Sequence, residues 1–259
     1  MSDEKKIERP EPMDIAQRDA YFWQEIGRIA KERDYDVRDL FEHFPAYIQR
    51  RFLTRFLSHY ELFKNVIDLP GSIVEIGVFR GRTMFSWSHF METFCPGDRR
   101  RMVYGFDHFK GLTDFDDKQD GAFNKQNDKV VGGWQSTEDE VRSLMDLHML
   151  DQILPGYARC ELISGDVFET IPKFLAAHPG LKISLLHMDI DLYRPTLFVL
   201  EQLYPLVVTG GVVCFDEYGV EPWQGETNAA DEFFSKFNPK PKLIKHPFTA
   251  FPSGYFIKE

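Results

Sequence analysis

Cysteine is scarce in this chain. There are three in 259 residues, Cys95, Cys160 and Cys214, far apart and without CxxC spacing. That excludes a disulfide framework and a thiolate zinc site. Cys214 lies inside an apolar run and reads as core. Positive charge is also in short supply: 31 Lys and Arg face 41 Asp and Glu, a formal net charge of −10. The broad basic face that releases counterions from a nucleic acid is therefore missing, and no nucleic-acid partner is expected. A few local cations could still serve a small anionic molecule. No run approaches the ~20 apolar residues that span a bilayer. The opening MSDEKKIERPEPMD carries charge but no apolar stretch of a signal peptide. No membrane partner is expected, and the expected compartment is the cytoplasm.

Apolar residues are present at 43%, enough for one substantial core. Residues 1–12 are polar and proline-bearing and read as a flexible arm. Residues 13–259 read as a single domain with a helical N-terminal extension over about 13–70. The pattern is helical from Ile15 to about Arg33. Another helix follows Pro45, where Phe52, Phe56, Tyr60 and Phe63 recur at three- and four-residue spacing. Its other face, with Arg50, Arg51, Arg55 and Lys64, is either solvated or in contact with an anion. Aromatics in the extension, Tyr21, Phe22, Trp23 and Phe41, suggest a surface buried between subunits and hence a homo-oligomer.

After Pro70-Gly71, short apolar runs alternate with helical patterns. The runs are Ile73–Ile76, Met102–Phe106, Glu161–Ser164, Ile183–Met188 and Val212–Phe215. The helical patterns cover about Gly81–Phe94, Thr137–Leu150, Val167–Ala177 and Pro195–Val208. This alternation predicts an α/β fold, a mostly parallel sheet with helices on both faces. Lys242–His246 and Gly254–Ile257 read as a closing hairpin that brings in an antiparallel strand. The stretch His108–Gln135 is long for a loop and follows a strand end, so it reads as a lid.

Ligands of such sheets bind beyond the carboxyl ends of the strands. The first run ends in VEIGVFRGRT, where Gly77 and Gly81 permit a tight turn before a helix N-terminus. The spacing is GxxxG and not the GxGxxG of dinucleotide binders. Glu75 is a poor neighbour for a pyrophosphate and a good one for a sulfonium or amino group. An ordinary strand–helix turn is the alternative. Asp107 ends the second run and could accept both hydroxyls of a ribose, or serve as a loop or cap aspartate. Asp166 follows the third, where it could accept from an adenine amine or cap the next helix. The fourth and fifth runs end in Asp189-Ile190-Asp191 and Asp216-Glu217. Carboxylates released together by buried strands are costly unless neutralised, and oxygen-only ligands suit a hard cation such as Mg²⁺. Helix capping or pairing with Arg is the structural alternative.

VEIGVFRGRT, VYGFDHFKGL, the Gly-Asp before a helix, MDIDLYRPT and GGVVCFDEYG resemble the macrocin-O-methyltransferase-like enzymes, metal-dependent methyltransferases of sugar hydroxyls. The likeness reaches back into RRFLTRFLSHYELFKNVIDLPGS and covers roughly residues 45 to 236. WQGETNAADEFF resembles the branch that methylates dTDP-activated 6-deoxyhexoses at the 3-hydroxyl. The resemblance implies a class I methyltransferase with a Rossmann-like sheet, S-adenosylmethionine as cofactor, a divalent cation such as Mg²⁺, and a sugar or nucleotide-sugar substrate. By position it places Glu75, Gly77, Arg80, Gly81 and Thr83 around the methionine part of the cofactor, Asp107 at the ribose and Asp166 at the adenine. Asp189 and Asp216 become metal ligands, with Glu217 in a third place that is usually Asp or Asn. Tyr193, Tyr218 and Trp223 fall beside the substrate. Some relatives use a His in the loop before the fourth helix as base, but this sequence has none between Phe109 and Met145. Asp191 is then the candidate base, with His108 or His187 behind it. The rivals are methylation of a glycosylated natural product or a catechol-like phenol, and a non-catalytic nucleotide-binding scaffold.

Overall fold

Asp14 and Gln17 start the first helix with a reciprocal cap. The Gln17 N–H donates to the Asp14 carboxylate at 2.8 Å, and the Asp14 N–H to the Gln17 side chain at 3.2 Å. The computed structural model describes residues 14–259, so the arm expected over residues 1–12 lies outside the described residues. Two compact units divide at Leu53/Thr54, a boundary inside the fourth helix and well before residue 70. The N-terminal unit holds α1 (Ile15–Glu32), α2 (Val37–Glu42) and α3 (Phe44–Tyr47); α4 (Arg50–Lys64) crosses the boundary. No residue of α1 is buried, and Tyr21, Trp23 and Phe41 are exposed. Phe22 and Trp23 meet edge to face at 5.3 Å.

The larger unit alternates strand and helix: β1 (Ser72–Ile76), α5 (Arg82–Phe94), β2 (Val103–Asp107), α6 (Glu138–Leu150), β3 (Cys160–Ser164), α7 (Val167–Ala177), β4 (Ile183–Met188), α8 (Tyr193–Leu203), β5 (Val207–Phe215), α9 (Gln224–Ser235) and β6 (Gly254–Ile257). The strand order is β3-β2-β1-β4-β5-β6. All neighbours are parallel except β6, which runs antiparallel to β5. The order reverses between β1 and β4, the switch point where open sheets place their ligands. Registers Ile76↔Phe106, Ile76↔Met188 and Met188↔Phe215 level the strand ends, so Gly77, Asp107, Asp189 and Asp216 leave the sheet along one edge.

Both faces are covered, which is why the strands read as continuous apolar runs. Val74, Ile76, Leu186, Met188, Val213 and Phe215 pack against Ile171, Phe174, Val199, Leu203 and Phe233 of α7, α8 and α9. Ile73, Leu185, Val212 and Cys214 pack the other way, with Leu62, Phe63, Met84, Trp87 and Val141 of α4, α5 and α6. On the strands of that second layer, Glu75 and His187 are polar, and both are buried.

Besides α2, α3 and α9, which the sequence pattern does not mark, the elements depart from it in three places. The helix expected to reach Val208 stops at Leu203 and one 3-10 turn, Tyr204–Leu206, because Pro205 cannot continue the ladder; β5 then begins at Val207, not Val212. Lys242–His246 forms no strand: only Ile244 pairs, in an isolated bridge to Tyr255, between Pro241 and Pro247. The expected hairpin is thus a single added strand. The stretch His108–Gln135 is not a free loop either. Lys129 Nζ donates to the carbonyls of Asp120 and Pro222, and the Asp120 carboxylate accepts the N–H of Tyr193 at 2.7 Å. Asp120 and Lys129 are buried, so the segment is fastened across the ends of β4 and β5.

Candidate active site

β4 and β5 end side by side, and each releases an aspartate. Asp189 lies two residues beyond His187, and Asp216 two beyond Cys214, so all four project toward the α4–α5 layer. Arg55 of α4 meets them there. Its Nη2 donates to Asp189 Oδ2 at 3.0 Å and to Asp216 Oδ2 at 2.8 Å. The face of α4 expected to meet solvent or an anionic ligand therefore turns this one arginine onto the protein's own carboxylates. The Arg-pairing alternative is realised here. Beneath the pair, His187 Nε2 stands 3.9 Å from Asp216 Oδ1, and its Nδ1 stands 3.8 Å from Glu75 Oε2. Trp87 Nε1 donates to the same Glu75 oxygen at 2.8 Å. Burial alone would lower the His187 pKa; the Asp216 and Glu75 carboxylates outweigh it and lift it to about 10. Burial and the Asp216 charge push Asp189 upward. Burial pushes Asp216 up as well, but Arg55 and His187 overcome it and hold that carboxyl well below its usual range.

More carboxyl groups crowd the same edge. Burial, then neighbouring carboxylates, raises Asp191, Glu217 and Glu226 well above the ordinary range. Glu226 accepts the Glu217 N–H at 2.7 Å. Asp216 Oδ1, Glu217 Oε2 and Glu226 Oε1 are buried with no hydrogen-bond partner. Unpaired buried acids of one sign are unfavourable, and an oxygen-rich donor set of this kind fits a divalent cation. Among the described residues, His187, Asp189 and Asp216 bring one ligand atom each within 4.8 Å of one another. Glu217, the expected third ligand, is not in that group. It follows Asp216 in the bend after β5, and its side chain hydrogen-bonds that of Asp216. His187 is the third member of that group. The signal was present in the sequence: a histidine inside an apolar strand, two residues from a proposed ligand, must share that ligand's face.

The turn after β1 closes against this centre. Gly77 has φ +92°, and a Cβ there would stand 1.7 Å from the Asp189 carbonyl oxygen, so only glycine lets the two strand ends meet. Asp107 holds the turn: its Oδ2 accepts the N–H groups of Val78 and Phe79 at 2.9 and 2.7 Å, and its Oδ1 that of Phe109 at 2.6 Å. Gly81 begins α5, and no side chain caps the helix there; Thr83 is buried in its first turn. Arg80 instead turns outward onto Glu140, with Nη2 2.6 Å from Oε1. Glu75 lies under the turn, buried with Trp87 and His187, and not at its open edge. Asp166 caps α7 by accepting the Phe168 N–H at 2.9 Å, the structural role that its position allowed.

The chain matches the model of the family "Macrocin-O-methyltransferase (TylF)" over residues 31–247. It belongs to that family. The demethyldecarbamoylnovobiocin O-methyltransferase of Streptomyces niveus is 30% identical over 187 residues, 68% of this chain and 63% of the relative. The match thus spans under two thirds of that curated relative. Among solved structures, CalS11, a calicheamicin methyltransferase, superposes with a TM-score of 0.82 and 26% identity over 96% of this chain and 98% of that one. The apo structure of CalS11, described as a TDP-rhamnose 3'-O-methyltransferase, gives 0.74 at 26% identity over 96% of both chains. The sheet is therefore the Rossmann-like sheet of class I methyltransferases.

In this family member the residues expected at the substrate are already engaged. The Tyr193 hydroxyl donates to Glu232 at 2.5 Å, and that of Tyr218 to Asp231 at 2.8 Å, both on α9. Trp223 packs with Leu112 and Leu192 into a small apolar cluster beside Asp191. Asp191 itself holds a left-handed backbone, φ +60°, a conformation aspartate tolerates better than most residues. Gly225 of α9 permits this crowding: a Cβ there would stand 2.7 Å from the Asp191 carbonyl oxygen.

Proposed function

We propose that this chain is an S-adenosylmethionine- and divalent-cation-dependent O-methyltransferase of a sugar hydroxyl, acting on the 3-hydroxyl of a dTDP-activated 6-deoxyhexose such as a rhamnose, in the cytoplasm. The observation that carries this reading is the Asp189–Asp216 pair, the first half-buried and the second buried, set beside the glycine turn at the switch point of the sheet. The TDP-rhamnose 3'-O-methyltransferase description of CalS11 favours the nucleotide-sugar acceptor. A scaffold without chemistry would gain nothing from buried carboxyl oxygens that lack partners.

Asp189 and Asp216 would hold the cation, with His187 in reach on their side and Glu217 beyond. When bound, the cofactor supplies an electrophilic methyl group, and the metal lowers the pKa of a hydroxyl that is otherwise near that of water, about 15.7. Gly77, Gly81 and Thr83 shape the open turn for the methionine part. Asp107 keeps acceptor capacity for a ribose beyond its three N–H partners, because a carboxylate offers about four lone-pair sites. Asp166 can serve the adenine while it caps α7. Asp191 accepts the proton of the sugar hydroxyl. Leu112, Leu192 and Trp223 wall the sugar from water, and Tyr193 and Tyr218 border the entrance. Transfer needs no covalent enzyme intermediate; orientation and fixed charge lower the barrier. The test is S-adenosylhomocysteine release over a panel of acceptors. dTDP-rhamnose should release it, and faster turnover of a catechol would contradict the sugar assignment.

Replacing Asp107 by Ala should weaken S-adenosylhomocysteine binding by roughly 1.5–3 kcal/mol, the worth of hydrogen bonds to a charged group. The melting temperature should fall too, because three N–H groups of the turn lose their acceptor. Calorimetry reads the first effect, and unchanged affinity would contradict the ribose role. The 18-residue α1 buries none of its residues, and its Tyr21 and Trp23 are exposed. A homo-oligomer that covers them is expected by light scattering at micromolar concentration; a monomer mass would count against it. Among the described residues, no helix is long and apolar enough to cross a membrane.

A further inference from the structure

Arg55 is an unusual partner for two acids. Its side chain is 15% exposed, yet a single nitrogen, Nη2, serves both Asp189 and Asp216, while its buried Nε has no partner. Buried guanidinium groups ordinarily use their fork, two parallel bonds to one carboxylate. Here one nitrogen bridges two carboxylates, and the fork is not used. The oxygens it takes belong to the two carboxylates that, together with His187, bring ligand atoms within metal-binding distance. The guanidinium carbon also stands 5.7 Å from the centre of the Phe251 ring, an aromatic face able to carry it.

We propose that Arg55 is an internal counter-ion that holds Asp189 and Asp216 together in the absence of metal and that a divalent cation must displace. The inference rests on the metal reading above. Without a cation, two aspartates at the ends of neighbouring strands repel, and Arg55 joins them at 3.0 and 2.8 Å. A divalent cation between the same carboxylates would stand within a few ångströms of the guanidinium, where their mutual repulsion is large. The arginine must withdraw, giving up both charged hydrogen bonds. Metal affinity is therefore the difference between what the carboxylates gain from the metal and what they lose with Arg55. The same residue that keeps the metal-free site ordered makes the metal bind more weakly than two aspartates alone would.

Titration of the full chain with Mn²⁺, read by the electron paramagnetic resonance of free Mn²⁺, tests this without any turnover. Arg55→Gln should bind Mn²⁺ roughly tenfold more tightly than the unaltered protein, or better, a change of about 1.4 kcal/mol. In chelator the variant should melt lower than the unaltered protein, and saturating Mn²⁺ should close that gap. Arg55→Lys keeps a charge but loses the planar bridge, so its affinity should fall between the two; it also serves if Arg55→Gln does not fold. Asp216→Asn fixes the location by losing Mn²⁺ binding. If the unaltered protein binds Mn²⁺ through Asp216 but neither Arg55 variant binds it more tightly, the counter-ion inference is overturned and the metal reading stands. If neither the unaltered protein nor the variants bind Mn²⁺, both fall together.

Discussion

Replacing Asp216 by Ala should abolish divalent-cation binding and methyl transfer together, while S-adenosylhomocysteine still binds. Asp216 is 1% exposed and stands at the centre of the site, 2.8 Å from Arg55 and 3.9 Å from His187. Arg55, which is largely buried, loses one of its two partners when it goes. Breaking a buried pair on one side costs about 3–5 kcal/mol, so the melting temperature should fall as well. The decisive comparison is with Asp216→Asn, which preserves volume and one acceptor oxygen. That variant should recover part of the stability and none of the metal binding. Retention of both metal binding and turnover in Asp216→Asn would remove this residue from the ligand set.

Asp191→Asn should separate base from ligand. Turnover should drop by roughly 10²–10⁴-fold, the loss expected when a general base is removed, with Mn²⁺ and S-adenosylhomocysteine affinities nearly unchanged. The bland alternative, that Asp191 caps α8, is closed by the structure: the cap position is Leu192, and no side chain caps that helix. Asparagine also tolerates the left-handed backbone at this position, so melting should stay close to that of the unaltered protein. Measuring melting, Mn²⁺ affinity and turnover on the one variant distinguishes the two. Near-normal turnover would pass the base role to His108.

Much of the sheet was legible because strands covered on both faces must be apolar along their whole length. Ile183–Met188 is bounded in the structure as its apolar run implied. The same reasoning located Gly77, Asp107, Asp189 and Asp216, since a residue just past a buried run lies at the strand's carboxyl end. α9 was harder to see: Gln224–Ser235 mixes glycine, alanine and acids, and its buried side owes more to tertiary contact than to periodicity. Arg55 could not be placed from the sequence at all. It stands 134 and 161 residues from the aspartates it bridges, and on α4 it looks like one more charge on a polar face. Alternation along β1 places Glu75 in the α4–α5 layer, toward which Asp189 and Asp216 also project, and there Trp87 donates to it and His187 stands 3.8 Å away.

Protein stripped with chelator and supplied with S-adenosylmethionine and dTDP-rhamnose should yield S-adenosylhomocysteine and a singly methylated sugar, identified by mass and by the position of the new methyl signal, only after Mg²⁺ is restored. Methylation of the sugar at an undiminished rate in chelator, or no methylated sugar with Mg²⁺ present, would contradict metal-assisted O-methylation of a nucleotide-sugar hydroxyl by this chain.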